Sequence, residues 1–382
     1  MKLLHRSLIA CLPLVVACAT KTTSDGSENP DAGNYDDYYS ETSDGATDAG
    51  GADGGGETPG QATARGTSTA NTNARARARA KALSPKKGPV TGDKKDPPKL
   101  TKRGPKPAVG EVRIDGIVPS AATPGTTVEI FGAGLDQKGF VPSIGGTPQK
   151  VVERSEDRMV VKIVGGKGPL GVGKMSRGRD RARARVVPAD KTSYAFEVLK
   201  KGSVFGTRTD ANHGLIGTVY AIENPVQEVP AFDSLGDPLG TIAVDNLAVG
   251  STTFDGNLLG RTEWFGIHFR GSLNVVEAGD YNLCLAAGSG ALLFLDGNSI
   301  IDNDGAHATE EKCEELYIEP GEYAVDLLYY QAAAGELGLT LSWAKDGGEK
   351  TPIPAASLFP PDDRPDTLIR KYHPLVAYVA QR

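Results

Sequence analysis

The sequence predicts an all-β chain in which two β domains, over residues 110–200 and 203–360, follow a long N-terminal segment that builds no core. Three observations point there. Short runs of alternating apolar and polar residues, broken by Gly, Pro and Asp-Gly, recur from Val112 to Trp343 with the period of strands buried on one face. No Phe, Tyr or Trp occurs between Tyr39 and Phe131, so that stretch has little to bury. The 382 residues carry 48 Gly, 25 Pro and only 6% aromatic residues, a lean composition that the aromatic-free stretch explains. The net charge of -6 argues against a strongly basic nucleic-acid binder. No apolar run approaches the roughly 20 residues of a membrane-spanning helix.

Residues 1–17 read as a secretory signal, with Lys2 and Arg6 ahead of a short apolar stretch from Leu8 to Ala17. Val15-Val16-Ala17-Cys18 resembles the lipobox of bacterial lipoproteins, where a small residue precedes a cysteine that is lipidated and becomes the new N-terminus. The resemblance implies lipidation at Cys18. Because Ala19 follows rather than Asp, it also implies export to the outer membrane, with the protein facing the periplasm or the surface. Several acyl chains on one cysteine make such an anchor stable. Ordinary signal cleavage after another small residue is the alternative.

Residues 18–109 read as a disordered tether, because no sustained periodicity offsets the entropy of ordering them. Its charge is segregated into an acidic block from Asp25 to Glu57 and a basic block from Arg65 to Lys106, which includes Arg75-Ala-Arg-Ala-Arg79. A coil of about 90 residues reaches roughly 50 Å, enough to hold a folded body clear of a membrane. The basic block is either a solvated spacer, folded back on the acidic block, or a contact for anionic polymer. It has no interleaved aromatic residues to stack on bases, so no specific nucleic acid is expected.

In the first domain, Val112–Val118 and Thr126–Phe131 alternate as strands around a turn at Pro119, Pro124 and Gly125. Further strands are expected around 148–153, 158–164 and 193–199, the spacing of a small β-sandwich. Ile117-Val-Pro-Ser120, Pro124-Gly-Thr-Thr-Val-Glu-Ile-Phe-Gly132 and Ile144-Gly-Gly146 resemble the immunoglobulin-like IPT/TIG family, which implies an immunoglobulin-like sandwich over 110–200. Within it, Gly166-Lys-Gly-Pro-Leu-Gly171 fits GxGxxG, and Gly168–Met175 comes within one residue of a P-loop. Nucleotide binding is rejected, because Met175 replaces the magnesium-binding hydroxyl and the chain runs on into a basic stretch and a strand instead of a helix. A basic loop from Ser176 to Arg185 remains, as an anion contact or a solvated insertion.

The second domain holds both tryptophans, Trp264 and Trp343, and alternating strands at 264–270, 279–285, 291–295, 314–318, 321–330 and 338–343. Asp296-Gly297 reads as a tight hairpin turn. Gly214-Leu-Ile-Gly-Thr-Val-Tyr220, Gly266-Ile-His-Phe-Arg-Gly271, Ala278–Leu285, Leu293–Asn303, Pro320-Gly-Glu-Tyr323 and Pro352–Phe359 follow the order of the PA14 family, which they resemble. That family implies a β-sandwich or barrel over 203–360 and, in members that bind sugars, calcium held by an Asp-Asp pair. This chain has Ala287-Gly-Ser-Gly290 in that place. Asp296, Asp302, Asn303 and Asp304 are the remaining oxygen ligands nearby, with turn and loop formation as their alternative role. No cofactor is expected, with calcium at these oxygens left open as the alternative.

Cys284 and Cys313, which remain after processing, are expected to pair in an exported protein; two reduced thiols are the alternative. His5, His213, His268, His307 and His373 form no metal or catalytic motif, and no GxSxG occurs, so no enzyme is expected. Carboxylate pairs that meet only in the fold remain open. Residues 361–382 form a tail that is a docking helix or a partner-binding segment. The chain thus reads as an envelope lipoprotein with a glycan-binding or adhesive module. A structural envelope protein, with an envelope protein rather than a glycan as partner, is the alternative.

Overall fold

The computed structural model describes residues 81–91, 107–176, 185–254, 256–333 and 336–364. Cys18, the acidic block, most of the basic block, the centre of the basic loop and the tail from 365 onward lie outside the described residues. The described residues all belong to one compact unit.

The first half of that unit contains β1 (Lys81–Leu83), β2 (Arg113–Val118), β3 (Ala121–Ala122), β4 (Thr127–Ala133), β5 (Phe140–Ile144), β6 (Thr147–Pro148), β7 (Lys150–Arg154), β8 (Arg158–Lys162), β9 (Leu170–Ser176), β10 (Arg185–Tyr194) and β11 (Glu197–Val198). Strands β2-β4-β8-β7 form one sheet and β10-β9-β5-β6 another. Ile114, Ile117, Val128, Ile130, Met159 and Val161 from the first pack against Phe140, Ile144, Leu170 and Val172 from the second. This is a β-sandwich, as the alternation predicts. Gly171, Gly173 and Met175 lie in β9, so this part of the glycine-rich run is strand.

The second half contains β12 (Leu215–Ala221), β13 (Gly240–Val244), β14 (Ala248–Thr253), β15 (Phe265–Val275), β16 (Gly279–Ala287), β17 (Gly290–Leu295), β18 (Asn298–Asn303), β19 (Glu310–Ile318), β20 (Gly321–Gln331), β21 (Glu336–Lys345), β22 (Thr351–Pro352) and β23 (Leu358–Phe359). One sheet runs β13-β12-β15-β20-β17-β18 and the other β1-β19-β16-β21-β14. Their inner faces share one core that includes Ile267, Phe269, Leu283, Leu285, Leu293, Leu327, Tyr329 and Leu341. The inward residues follow the period of two that a sheet buried on one face imposes.

Cys284 and Cys313 stand opposite each other in β16 and β19 and are bonded, with Cα atoms 4.0 Å apart. Cys313 lies inside β19 and not ahead of it, because the strand begins at Glu310. Between the two cysteines the chain leaves one sheet, forms the β17–β18 hairpin in the other and returns. The bridge therefore closes the crossover between layers.

The tether does not extend to residue 109 as an unpaired coil. Residues 81–91 pack on the second sandwich, where β1 adds to β19 as a parallel strand and Leu83 is buried in the core. Glu322 donates its backbone N–H to Lys87 O at 3.0 Å, and the Asn274 side chain exchanges hydrogen bonds of 2.8 and 3.1 Å with the backbone of Val90. Burial of Leu83 acts together with the β1 ladder and the hydrogen bonds of Lys87 and Val90 to offset the cost of ordering this stretch. Pro85 lies directly over Gly321, where an added Cβ would come within 2.2 Å of the ring. Gly321→Ala is thus expected to detach this segment. Trypsin cleavage after Lys86 and Lys87 should quicken about tenfold; unchanged cleavage would show that the segment does not depend on this contact.

The two sandwiches meet through a buried junction. Val118 and Phe131 pack on Ile216 and Ala243. Ser120 and Thr241 are joined by hydrogen bonds, among them Thr241 N–H to Ser120 Oγ at 2.8 Å. Glu129, fully buried in β4, accepts two hydrogen bonds from Arg364 at 2.8 and 2.9 Å and one from Arg158 at 2.8 Å, with Arg208 at 3.4 Å. Burial alone would raise the Glu129 pKa, but the guanidiniums of Arg364, Arg208 and Arg158 outweigh it and hold the group at about 2. Burial likewise pulls Arg208 down to about 10 against the attraction of Glu129. Arg158 also reaches the half-exposed Glu153 at 3.0 Å.

Candidate functional site

The oxygen ligands singled out in the sequence do not converge. Asp296 and Gly297 form the turn between β17 and β18, with φ of 50° and 80°, the left-handed pair of a type I′ hairpin. The Asp296 carboxylate is occupied there, accepting the backbone N–H of Ala324 at 2.9 Å and that of Lys86 at 3.4 Å. Asp302, Asn303 and Asp304 lie at the opposite end of β18, roughly 20 Å along the strand. Asp302 accepts the backbone N–H of Asp304 at 3.1 Å, which shapes the loop. Asn303 is fully buried and donates to the carbonyls of Leu285 and Glu310, both at 3.1 Å.

Asp304 has the most exacting position. Its Oδ1 accepts the backbone N–H groups of Val229 and Gly305, both at 2.7 Å, which pins the 223–239 segment to the β18–β19 loop. An added Cβ on Gly290 would come within 2.5 Å of the Tyr330 ring and 2.7 Å of Asp304 Oδ1. The glycine is required because both side chains press against the start of β17.

Calcium needs six to eight oxygens around one point. Among the described residues the one cluster of three metal-type donors is Cys284, Glu311 and Cys313, and both sulfurs of that cluster are spent in the disulfide. The residues present do not fit the calcium site that the PA14 resemblance implies.

What the fold does assemble is a polar rim where turns meet. Ser289, in the β16–β17 turn, has φ of 66°, and Trp264, just ahead of β15, has φ of 51°, a region that only a few per cent of non-glycine residues adopt. Ser289 N–H donates to His307 O at 2.8 Å, its Oγ accepts Ala332 N–H at 3.1 Å, and Trp264 N–H donates to Ala332 O at 3.2 Å. Trp264, His307 and Asp304 are half-buried at this rim. Among the described residues the buried Tyr330 hydroxyl and Asn303 Oδ1 have no hydrogen-bond partner. Burial pushes the Tyr330 phenol up to about 12, assisted by the charges of Asp304 and Glu228, so it stays protonated and is a hydrogen-bond donor. In sequence Trp264 reads simply as the first member of an alternating strand; its place at the rim depends on the contact with Ala332, far along the chain.

His268 and Asp326 form a pair at 2.8 Å on the outer side of the β15–β20 ladder, with Arg270 at 3.8 Å from the same carboxylate. The hydrogen bond from His268 lowers the Asp326 pKa despite its partial burial. His213 pairs with Asp210 at 2.9 Å. Neither imidazole has a hydroxyl or thiol bonded to it among the described residues.

Residues 213–357 match the model of the PA14 domain family. The solved structures similar to this chain include the PA14 domain of the MpAFP antifreeze protein, 19% identical, covering 38% of this chain and 89% of that one with a TM-score of 0.34. They also include the PA14 sugar-binding domain of an RTX adhesin, 18% identical, covering 40% of this chain and 100% of that one with a TM-score of 0.35. A third is the A domain of epithelial adhesin 6 from Candida glabrata, 12% identical, covering 40% of this chain and 89% of that one with a TM-score of 0.30. No curated protein matches the chain.

Proposed function

We propose that residues 203–360 act as a non-catalytic glycan-binding or adhesive module, carried at the outer membrane by a lipid on Cys18. The observation that supports this reading most is the PA14 match over 213–357 together with the rim it encloses. There an uncommon backbone at Ser289 and Trp264 meets in one turn cluster through the shared contact with Ala332. Left-handed non-glycine residues persist only where the surroundings over-determine them, and they gather at binding sites. Hydroxyl-rich ligands suit such a rim, because the half-exposed Trp264 indole offers a face for a sugar ring to stack on without a metal.

Calcium is expected to leave the melting temperature unchanged, and a rise of several degrees that chelator reverses would contradict this. On a glycan array the mature chain should show saturable binding that chelator does not abolish. Trp264→Ala should weaken that binding about tenfold while leaving the fold intact. Silence across the array would remove the glycan reading. It would favour a structural role in the envelope, which the Gly288-Ser289 sequence in place of an Asp-Asp pair already supports.

A further inference from the structure

The basic run just ahead of β1 and the acidic start of β19 are not used by the reading above. β16 pairs with all nine residues of β19, from Glu310 to Ile318, whereas on the other edge β1 pairs only with Leu316, Tyr317 and Ile318. Glu310–Glu315 therefore present an open, exposed strand edge among the described residues. An unpaired edge of this length is a template for another strand.

We propose that Arg75–Ala80 of the tether occupies this edge, continuing β1 as a parallel strand along β19. Charge complementarity and continuity with the existing β1 pairing carry the inference. The edge holds Glu310, Glu311, Glu314 and Glu315 against a single Lys312. Glu311 is met by Lys350 at 2.6 Å, and Glu310 by His307 at 3.6 Å and Lys312 at 3.9 Å. Glu314 and Glu315 are in no ion pair among the described residues.

The sequence before β1 is Arg75-Ala-Arg-Ala-Arg-Ala80, alternation with the period of a strand. β1 sets Lys81 opposite Leu316 and Leu83 opposite Ile318. Carried back, the same register sets Arg79 opposite Glu314 and Arg75 opposite Glu310. Arg77 falls opposite Lys312, where Glu310 and Glu314 on its two diagonals supply the opposite charge. Ala78 falls opposite Cys313, on the face that carries the disulfide, where a small side chain is what fits. A run of arginine and alanine has no apolar surface to fold by itself, so the edge supplies the pairing that orders it.

Hydrogen exchange on the full mature chain tests this. Amides of Glu310–Glu315 that point away from β16 should exchange about fivefold more slowly than in the triple variant Arg75→Glu, Arg77→Glu, Arg79→Glu. Amides of β20 should be unaffected and report that the sandwich stays folded. Adding Glu310→Arg and Glu314→Arg to the triple variant should restore protection, which loss of a nonspecific charge effect would not. Equal exchange in wild type and triple variant would overturn the proposal. So would protection that grows with protein concentration, since that places the strand on a second copy.

Discussion

Glu129→Ala is expected to destabilise the folded unit by about 3–5 kcal/mol, the range for removing one partner of a buried ionic group. Arg364, Arg158 and Arg208 converge on this one carboxylate, and Arg208 and Arg364 are themselves almost fully buried. Arg208 Nε and Nη1 and Arg158 Nη2 lack acceptors among the described residues, which offer no spare anion at these atoms to take over. The effect carries a pH signature. The folded-state pKa of about 2 lies below the ordinary value of 4.5, so Glu129 contributes its full stability above pH 4.5. That contribution falls as pH drops and is gone once pH passes below about 2. The stability difference between wild type and Glu129→Gln, measured by denaturant titration, should therefore shrink through this window. A difference that stays constant with pH would show that the carboxylate charge is not what the junction uses.

The second large effect is expected at the disulfide. Replacing both Cys284 and Cys313 with alanine should cost about 3–4 kcal/mol, from reopening a loop with a sequence separation of 29 residues. For a domain of this size that corresponds to a fall of about 10 °C in melting temperature. The loop contains the whole β17–β18 hairpin, so the bridge restrains the step at which the chain changes sheets. Calorimetry of the oxidised protein against the double variant measures it. A shift below about 2 °C would mean that the nine-residue ladder between β16 and β19 already fixes the crossover without the bond.

The strands were legible because alternation records a sheet with one buried face. Gly279–Leu285 and Gly321–Tyr330 show it over whole elements, and Asp296-Gly297 announces its turn by residue type alone. The disulfide was legible for a different reason, the compartment implied by residues 1–17 and the count of cysteines left. Glu129 was not. In Thr127-Val-Glu-Ile-Phe131 it falls on the side that alternation assigns to solvent, and what buries it comes from Arg208 and Arg364, 79 and 235 residues away. No local pattern carries a partner at that distance. β1 was missed because three residues around one leucine give no period, and its order comes from the core it enters. At the rim, Asp304 lay among the residues singled out, but its use as an anchor for Val229 depends on a contact 75 residues apart.

The packing of residues 81–91 on the second sandwich also decides how the molecule takes a mechanical load. Tension on the chain ahead of residue 81 does not reach the first sandwich directly, although that sandwich comes next in sequence. It is borne first by the Lys81–Leu83 ladder, the buried Leu83 and the Asn274 bonds to Val90. Only when these part does the load pass on to the Gly110–Val112 contacts of the first sandwich. Three paired residues are far fewer than the nine of the β16–β19 ladder, so this strand is expected to yield before the sandwich that carries it.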